Sequence, residues 1–113
     1  MINGLTPKDS ILIVYDDENF LHSLFMKLKS EGITNVEKCQ DSLNVMPRLK
    51  EKKYSLIYLD VIMPVIRGEY LLPEILSIYP DMYVIMLTAV EEVGIAVRCM
   101  KMGAKYYMSK TDL

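Results

Sequence analysis

The chain has 113 residues, enough for one domain and too few for two. Half of them are hydrophobic and a quarter charged, so a real core can be buried, while the net charge of −2 lacks the basic excess of a free-standing nucleic-acid binder. No apolar run reaches the roughly 18 residues of a membrane-spanning helix, and Met1 to Lys8 shows no signal-peptide pattern, so the cytoplasm is the simplest location.

In chain order, Ser10-Ile11-Leu12-Ile13-Val14-Tyr15 is a β-branched run that stops at Asp16-Asp17-Glu18. A continuous apolar run of this kind suits a strand buried on both faces, as in a parallel sheet. From Asn19 to Ser30, Phe20, Leu21, Leu24, Phe25 and Leu28 recur at helical spacing, and Gly32 is a plausible stop. Asn35 to Cys39 is a shorter, weaker strand. Asp41 or Ser42 then caps a helix to about Lys53, with Leu43, Met46 and Leu49 inward. Pro47 should shorten or kink that helix unless it starts later.

Leu56 to Leu59 is again wholly apolar and ends in an acid, Asp60. Gly68 opens a helix from Glu69 to about Tyr79, interrupted by Pro73. Tyr83 to Leu87 forms a fourth strand ending at Thr88, and Glu91 to Met102 a fourth helix stopped by Gly103. Tyr106 to Ser109 is the fifth strand, with Lys110 at its end. Strands alternating with helices call for right-handed crossovers and a parallel sheet.

Several residues read as structure alone. Cys39 and Cys99, far apart with no histidine or cysteine beside them, are expected to be small buried hydrophobes. His22 belongs on a helix surface, and Lys50, Lys52 and Lys53 on a solvated helix end. Met86, Met100, Met102 and Met108 suit gap-filling in the core.

Chemistry gathers at the strand ends. In an open α/β sheet ligands bind at the carboxyl ends of the strands. Those ends carry Asp16 and Asp17, then Asp60, Thr88 and Lys110. Singly, each acid reads equally well as a turn residue or a cap. Together, three carboxylates repel one another unless a cation neutralises them, and a hard divalent ion with oxygen ligands, Mg²⁺ or Mn²⁺, is the natural answer. A metal beside an ammonium and a hydroxyl spreads the charge of a transferring phosphoryl group. Asp60, between the acidic pair and Lys110, is the best candidate for a carboxylate nucleophile.

These motifs are Ile-Leu-Ile-Val-Tyr-Asp-Asp-Glu at 11–18, Leu-Asp-Val-Ile-Met-Pro at 59–64 followed by Gly68, Leu-Thr-Ala at 87–89 and Ser-Lys at 109–110. On them the chain resembles, over essentially its whole length, the receiver domain of bacterial two-component response regulators. The resemblance implies a flavodoxin-like, doubly wound α/β fold whose five parallel strands run 2-1-3-4-5. It implies Asp60 as phosphoacceptor and Mg²⁺ held by Asp17, Asp60 and the backbone carbonyl of Ile62, with Asp16 assisting through water. Thr88 and Lys110 would engage the phosphoryl oxygens, and Tyr107 would move with Thr88 on activation. The phosphoryl group would come from a sensor histidine kinase or a phosphotransfer protein, and the fourth helix and fifth strand would report the change.

The chain departs from the family at two points. Thr111 follows Lys110 where relatives commonly have proline, so that peptide is expected to be trans. The fifth helix is missing: Thr111-Asp112 looks like a cap, and the chain stops at Leu113. This suggests a piece of a longer protein, in which a DNA-binding domain, an enzymatic domain or a kinase could follow Leu113 as output. Apolar surface on the first, third and fifth strands is then expected to be exposed, favouring a homodimer or marginal stability. Ile62 and Val90 border the path of an attacking water and cannot orient it, so self-dephosphorylation is expected to be slow. Other readings fit less well. A phosphohydrolase of the haloacid dehalogenase type wants Asp-x-Asp after the first strand, a flavodoxin-like cofactor binder wants a phosphate loop there, and a receiver-like scaffold that is never phosphorylated has no use for the intact acidic set.

Overall fold

The computed structural model describes residues 8–15 and 17–110, without the side chain of Val90. Asp16 and the Thr111-Asp112 cap lie outside the described residues, as does the peptide between Lys110 and Thr111. Strands β1 (Ile11–Val14), β2 (Val36–Cys39), β3 (Leu56–Asp60), β4 (Tyr83–Thr88) and β5 (Tyr106–Ser109) alternate with helices α1 (Glu18–Ser30), α2 (Val45–Glu51), α3 (Gly68–Ile78) and α4 (Val93–Met102). All strand pairs are parallel, in the order β2-β1-β3-β4-β5. This is the doubly wound α/β sheet expected from the sequence.

The uninterrupted apolar runs are explained by two cores on opposite faces of the sheet. Leu12, Val14, Ile57, Leu59, Val84 and Met86 pack with Leu49 of α2, Leu71, Leu72 and Ile75 of α3 and Cys99 of α4. The alternate residues Ile11, Ile13, Leu56, Tyr58, Ile85 and Leu87 pack beneath Leu21, Leu24 and Leu28 of α1. Fully burying such a side chain is worth about 1.5–3 kcal/mol, so the three central strands, apolar on both sides, carry most of the cohesion.

Four expectations need correction. Asp41 does cap, accepting from the Leu43 amide at 2.9 Å, but what it caps is a 3₁₀ turn at Ser42–Asn44, and α2 begins only at Val45. Pro47 therefore falls in the first helical turn, where no amide donor is needed. Leu43 is consequently 58% exposed, and Val45 takes its inward place. Met102 is exposed and fills no gap, unlike Met86, which is buried, and Met100 and Met108, which are partly so.

The fourth correction concerns exposed apolar surface. The side chains of the first and third strands are buried under α1; what stays open is on β5, where Tyr106 is 57% exposed. Both cysteines are buried and unpaired, as expected, and His22 is exposed. Gly32 and Gly103 follow α1 and α4 at φ of 87° and 123°, a region that side chains disfavour.

Strand β2 lies at one edge of the sheet and carries its charges in pairs. Glu37 is bound by Arg48 at 3.0 Å, by Lys52 and by the Tyr54 hydroxyl at 2.9 Å, and Lys38 reaches Glu18 at 3.4 Å. No helix among the described residues is long and apolar enough to cross a membrane.

Candidate functional site

Asp60 is the last residue of β3, opposite Leu87 of β4, and only 1% exposed. Its Oδ1 lies 2.9 Å from the Lys110 ammonium and accepts a long bond, 3.4 Å, from the Ile62 amide. Its Oδ2 is buried and has no hydrogen-bond partner among the described residues. Burial dominates: it pushes the carboxyl up to about 6 against the opposing pull of Lys110.

Lys110, at the end of β5, faces Asp60 on one side and the Tyr15 ring on another, with its nitrogen 4.7 Å from the ring centroid. Burial alone would lower its pKa, but Asp60 and Tyr15 together outweigh burial and raise it. Tyr15 is buried and packs on Phe20 with ring centroids 4.6 Å apart; burial also raises its phenol.

Thr88 ends β4 opposite Ser109, fully buried, and its hydroxyl donates to the Met108 carbonyl at a long 3.4 Å. Tyr107 is partly buried against the core beneath α2–α4, its ring stacked on Tyr106 with centroids 6.4 Å apart. Asp17 is exposed and caps α1, its Oδ1 accepting from the Asn19 amide at 2.9 Å and the Phe20 amide at 3.3 Å. Its other oxygen stands outside the cap.

The loop after β3 is shaped by two backbone constraints. A side chain at Gly68 would bring its Cβ to 1.9 Å from the Asp60 carbonyl oxygen, and the Gly68 amide donates to Val61 at 2.8 Å. Only glycine lets α3 start against the end of β3. Val65 holds φ at 72°, which a β-branched residue adopts only under strain. The buried hydroxyl of Ser42 braces this loop, donating to the Pro64 carbonyl at 2.9 Å and accepting from the Ile66 amide at 3.2 Å.

The structure thus pairs Asp60 with Lys110 directly and places Thr88 on the neighbouring strand end. Among the described residues no three His, Cys, Asp or Glu side chains form a ready-made cation cage. The donor set nevertheless suits a hard divalent ion. Asp60 Oδ2 is buried with no partner among the described residues, and the exposed Asp17 carboxylate and the backbone of exposed Ile62 belong to the same sheet edge.

Sequence reasoning missed two members of this site. One is Tyr15, read only as the end of a strand. The other is Glu92, which is 5% exposed, accepts from the Ala89 amide at 2.8 Å and comes within 3.9 Å of Lys110. Nothing in Glu91-Glu92 marks one acid as buried and its neighbour as solvated.

A five-stranded parallel sheet with this order and an acid buried at the switch between β1 and β3 defines an α/β domain built around one carboxylate. A family model, the response regulator receiver domain, matches residues 11–112, and the chain belongs to that family, which serves two-component signalling. The chemotaxis protein CheY of Listeria monocytogenes is 28% identical over 100 residues, covering 88% of this chain and 84% of the relative. The transcriptional regulatory protein ZraR of Salmonella typhimurium is 32% identical over 110 residues, covering 97% of this chain but 24% of the relative. Among solved structures, the receiver domain of a Bacteroides fragilis response regulator has a TM-score of 0.83 at 27% identity, covering 90% of this chain and 84% of that one. Full-length FixJ of B. japonicum gives 0.85 at 28% identity, covering 93% and 51%.

Proposed function

We propose that Asp60 is a phosphoacceptor and that this chain switches between two packed states as Asp60 gains and loses a phosphoryl group. The observation that carries the reading is the Asp60 carboxylate itself: nearly inaccessible, paired to Lys110 through one oxygen, with the other unsatisfied among the described residues. A purely structural buried acid would have both oxygens bonded.

In the step proposed, an Asp60 oxygen attacks phosphorus as the bond from phosphorus to the donor nitrogen breaks. The electron pair of the broken bond stays with the departing imidazole, and Asp60 becomes an acyl phosphate. The donor is a phosphohistidine of a sensor kinase or a phosphotransfer protein. Lys110 is already aligned at 2.9 Å and follows the charge onto the phosphoryl oxygens. The Thr88 hydroxyl, bound only loosely to Met108, is available to a phosphoryl oxygen, and its turn inward leaves room for Tyr107. Asp17, Asp60 and the Ile62 carbonyl would hold Mg²⁺ or Mn²⁺, with Asp16 assisting through water; when bound, the ion neutralises the clustered negative charge.

The chain would act in the cytoplasm. Its readout surface would be the α4 and β5 face, and an output domain would be the partner in longer proteins such as ZraR. Incubation with acetyl phosphate and Mg²⁺, followed by intact mass, tests the central claim. One phosphoryl adduct is expected, lost in Asp60→Asn; no adduct, or one that survives that substitution, overturns it.

A further inference from the structure

Two buried carboxylates share one ammonium. Lys110 lies 2.9 Å from Asp60 and 3.9 Å from Glu92. A glutamate in the first turn of a helix usually caps from the surface, in water. Glu92 is instead almost wholly enclosed, and its Oε1 does two things: it accepts from the Ala89 amide at 2.8 Å and faces Lys110. Ala89 directly follows Thr88, and Glu92 directly precedes α4, so this oxygen joins the Lys110 ammonium to the turn that links β4 to α4.

We infer that Glu92 is a positioning residue that couples the partner of Lys110 to the conformation of the β4–α4 turn. The inference rests on the phosphoacceptor reading of Asp60 and deepens it. While Lys110 is drawn to Asp60, it also balances the Glu92 charge, and the Ala89 amide is held at Oε1. A phosphoryl group on Asp60 adds negative charge and draws Lys110 toward itself. Glu92 is then left buried beside an anion with its counter-charge withdrawn, an arrangement that costs free energy unless the turn rearranges. The charge change at Asp60 thereby reaches Ala89 and the first residues of α4 through one side chain.

The bland alternative is a glutamate that only caps. The isosteric Glu92→Gln keeps an oxygen for the Ala89 amide and removes the charge, so the two roles separate. In the full chain, a stability double-mutant cycle of Glu92→Gln with Lys110→Met needs no phosphoryl group. The folding equilibrium constants should be non-additive by more than about threefold, whereas additivity within about twofold overturns the coupling. The amide resonance of Ala89 is then followed by NMR as acetyl phosphate and Mg²⁺ are added, with adduct formation checked by mass in the same samples. The wild-type shift should fall by half or more in Glu92→Gln at equal adduct. An equal shift at equal adduct refutes transmission through Glu92. If the wild-type chain forms no adduct, the phosphoacceptor reading has failed, and the cycle alone still decides whether Glu92 and Lys110 are linked.

Discussion

Ionisation of Asp60 should lower the stability of this protein at neutral pH relative to mildly acidic pH, and removing its charge should abolish that difference. Burial raises its carboxyl from 3.8 to about 6. Between those values the folded chain binds a proton that the unfolded chain has already released, so the contribution of this group is most favourable below about pH 4 and is lost as pH rises through about 6. Each tenfold change in the ionisation constant is worth 1.36 kcal/mol, so this one group costs about 3 kcal/mol at pH 7. Asparagine has the shape of the protonated acid and no charge, and its amide would find as few partners as Oδ2 does, an offset of about 1 kcal/mol. Asp60→Asn should therefore gain about 2 kcal/mol at pH 7 and little at pH 4.5. Urea unfolding followed by far-UV circular dichroism, with chelator present, from pH 4.5 to 8, measures both. Wild-type and variant curves running parallel across that range would refute the reasoning, as would an Asp60→Asn protein less stable at pH 7. Adding Mg²⁺ at pH 7 should stabilise the wild type and leave the variant unmoved, because the ion binds the charged form.

Three further outcomes can be checked. Gly68→Ala drives a methyl into the Asp60 carbonyl, so it should cost about 3 kcal/mol and slow phosphorylation by acetyl phosphate, read by melting and by mass. Val65→Asn should raise stability by about 1 kcal/mol in urea titration, since asparagine tolerates the left-handed backbone and the valine, 77% exposed, contributes little packing. With Ile62 an exposed apolar residue two positions after Asp60, no group there can orient water, so the phosphoryl adduct should persist for many minutes or longer in Mg²⁺; a lifetime of seconds would defeat that expectation.

The fold was legible because the central strands are buried on both faces, which forces unbroken apolar runs at Ile11–Val14, Leu56–Leu59 and Val84–Leu87. The Asp60–Lys110 pair was legible for a topological reason: both residues stand where strands end, and parallel strands end on one side. The inner face of α2 was less so. Asp41 signals a cap, but a capping residue specifies where a turn begins and not whether it is α or 3₁₀, and that difference moved Leu43 outward and Val45 inward. Val65 was invisible because its backbone contradicts its own local preference; the brace from Ser42 comes from 24 residues upstream of the Ile66 amide it holds. Glu92 was missed because burial of one acid in a pair is decided by tertiary packing alone.

The two rims of the sheet are not alike in chemistry. The β2 rim is lined by Glu37 and Lys38, each tied to partners, so an incoming strand would have to break ion pairs to dock there. On β5, Tyr106, Tyr107 and Met108 carry no charge until Lys110 is reached. Growth of the sheet by addition of a foreign strand is therefore discouraged at one rim and tolerated at the other. Any tendency of this protein to associate edge to edge, during folding or in concentrated solution, has a direction built into it.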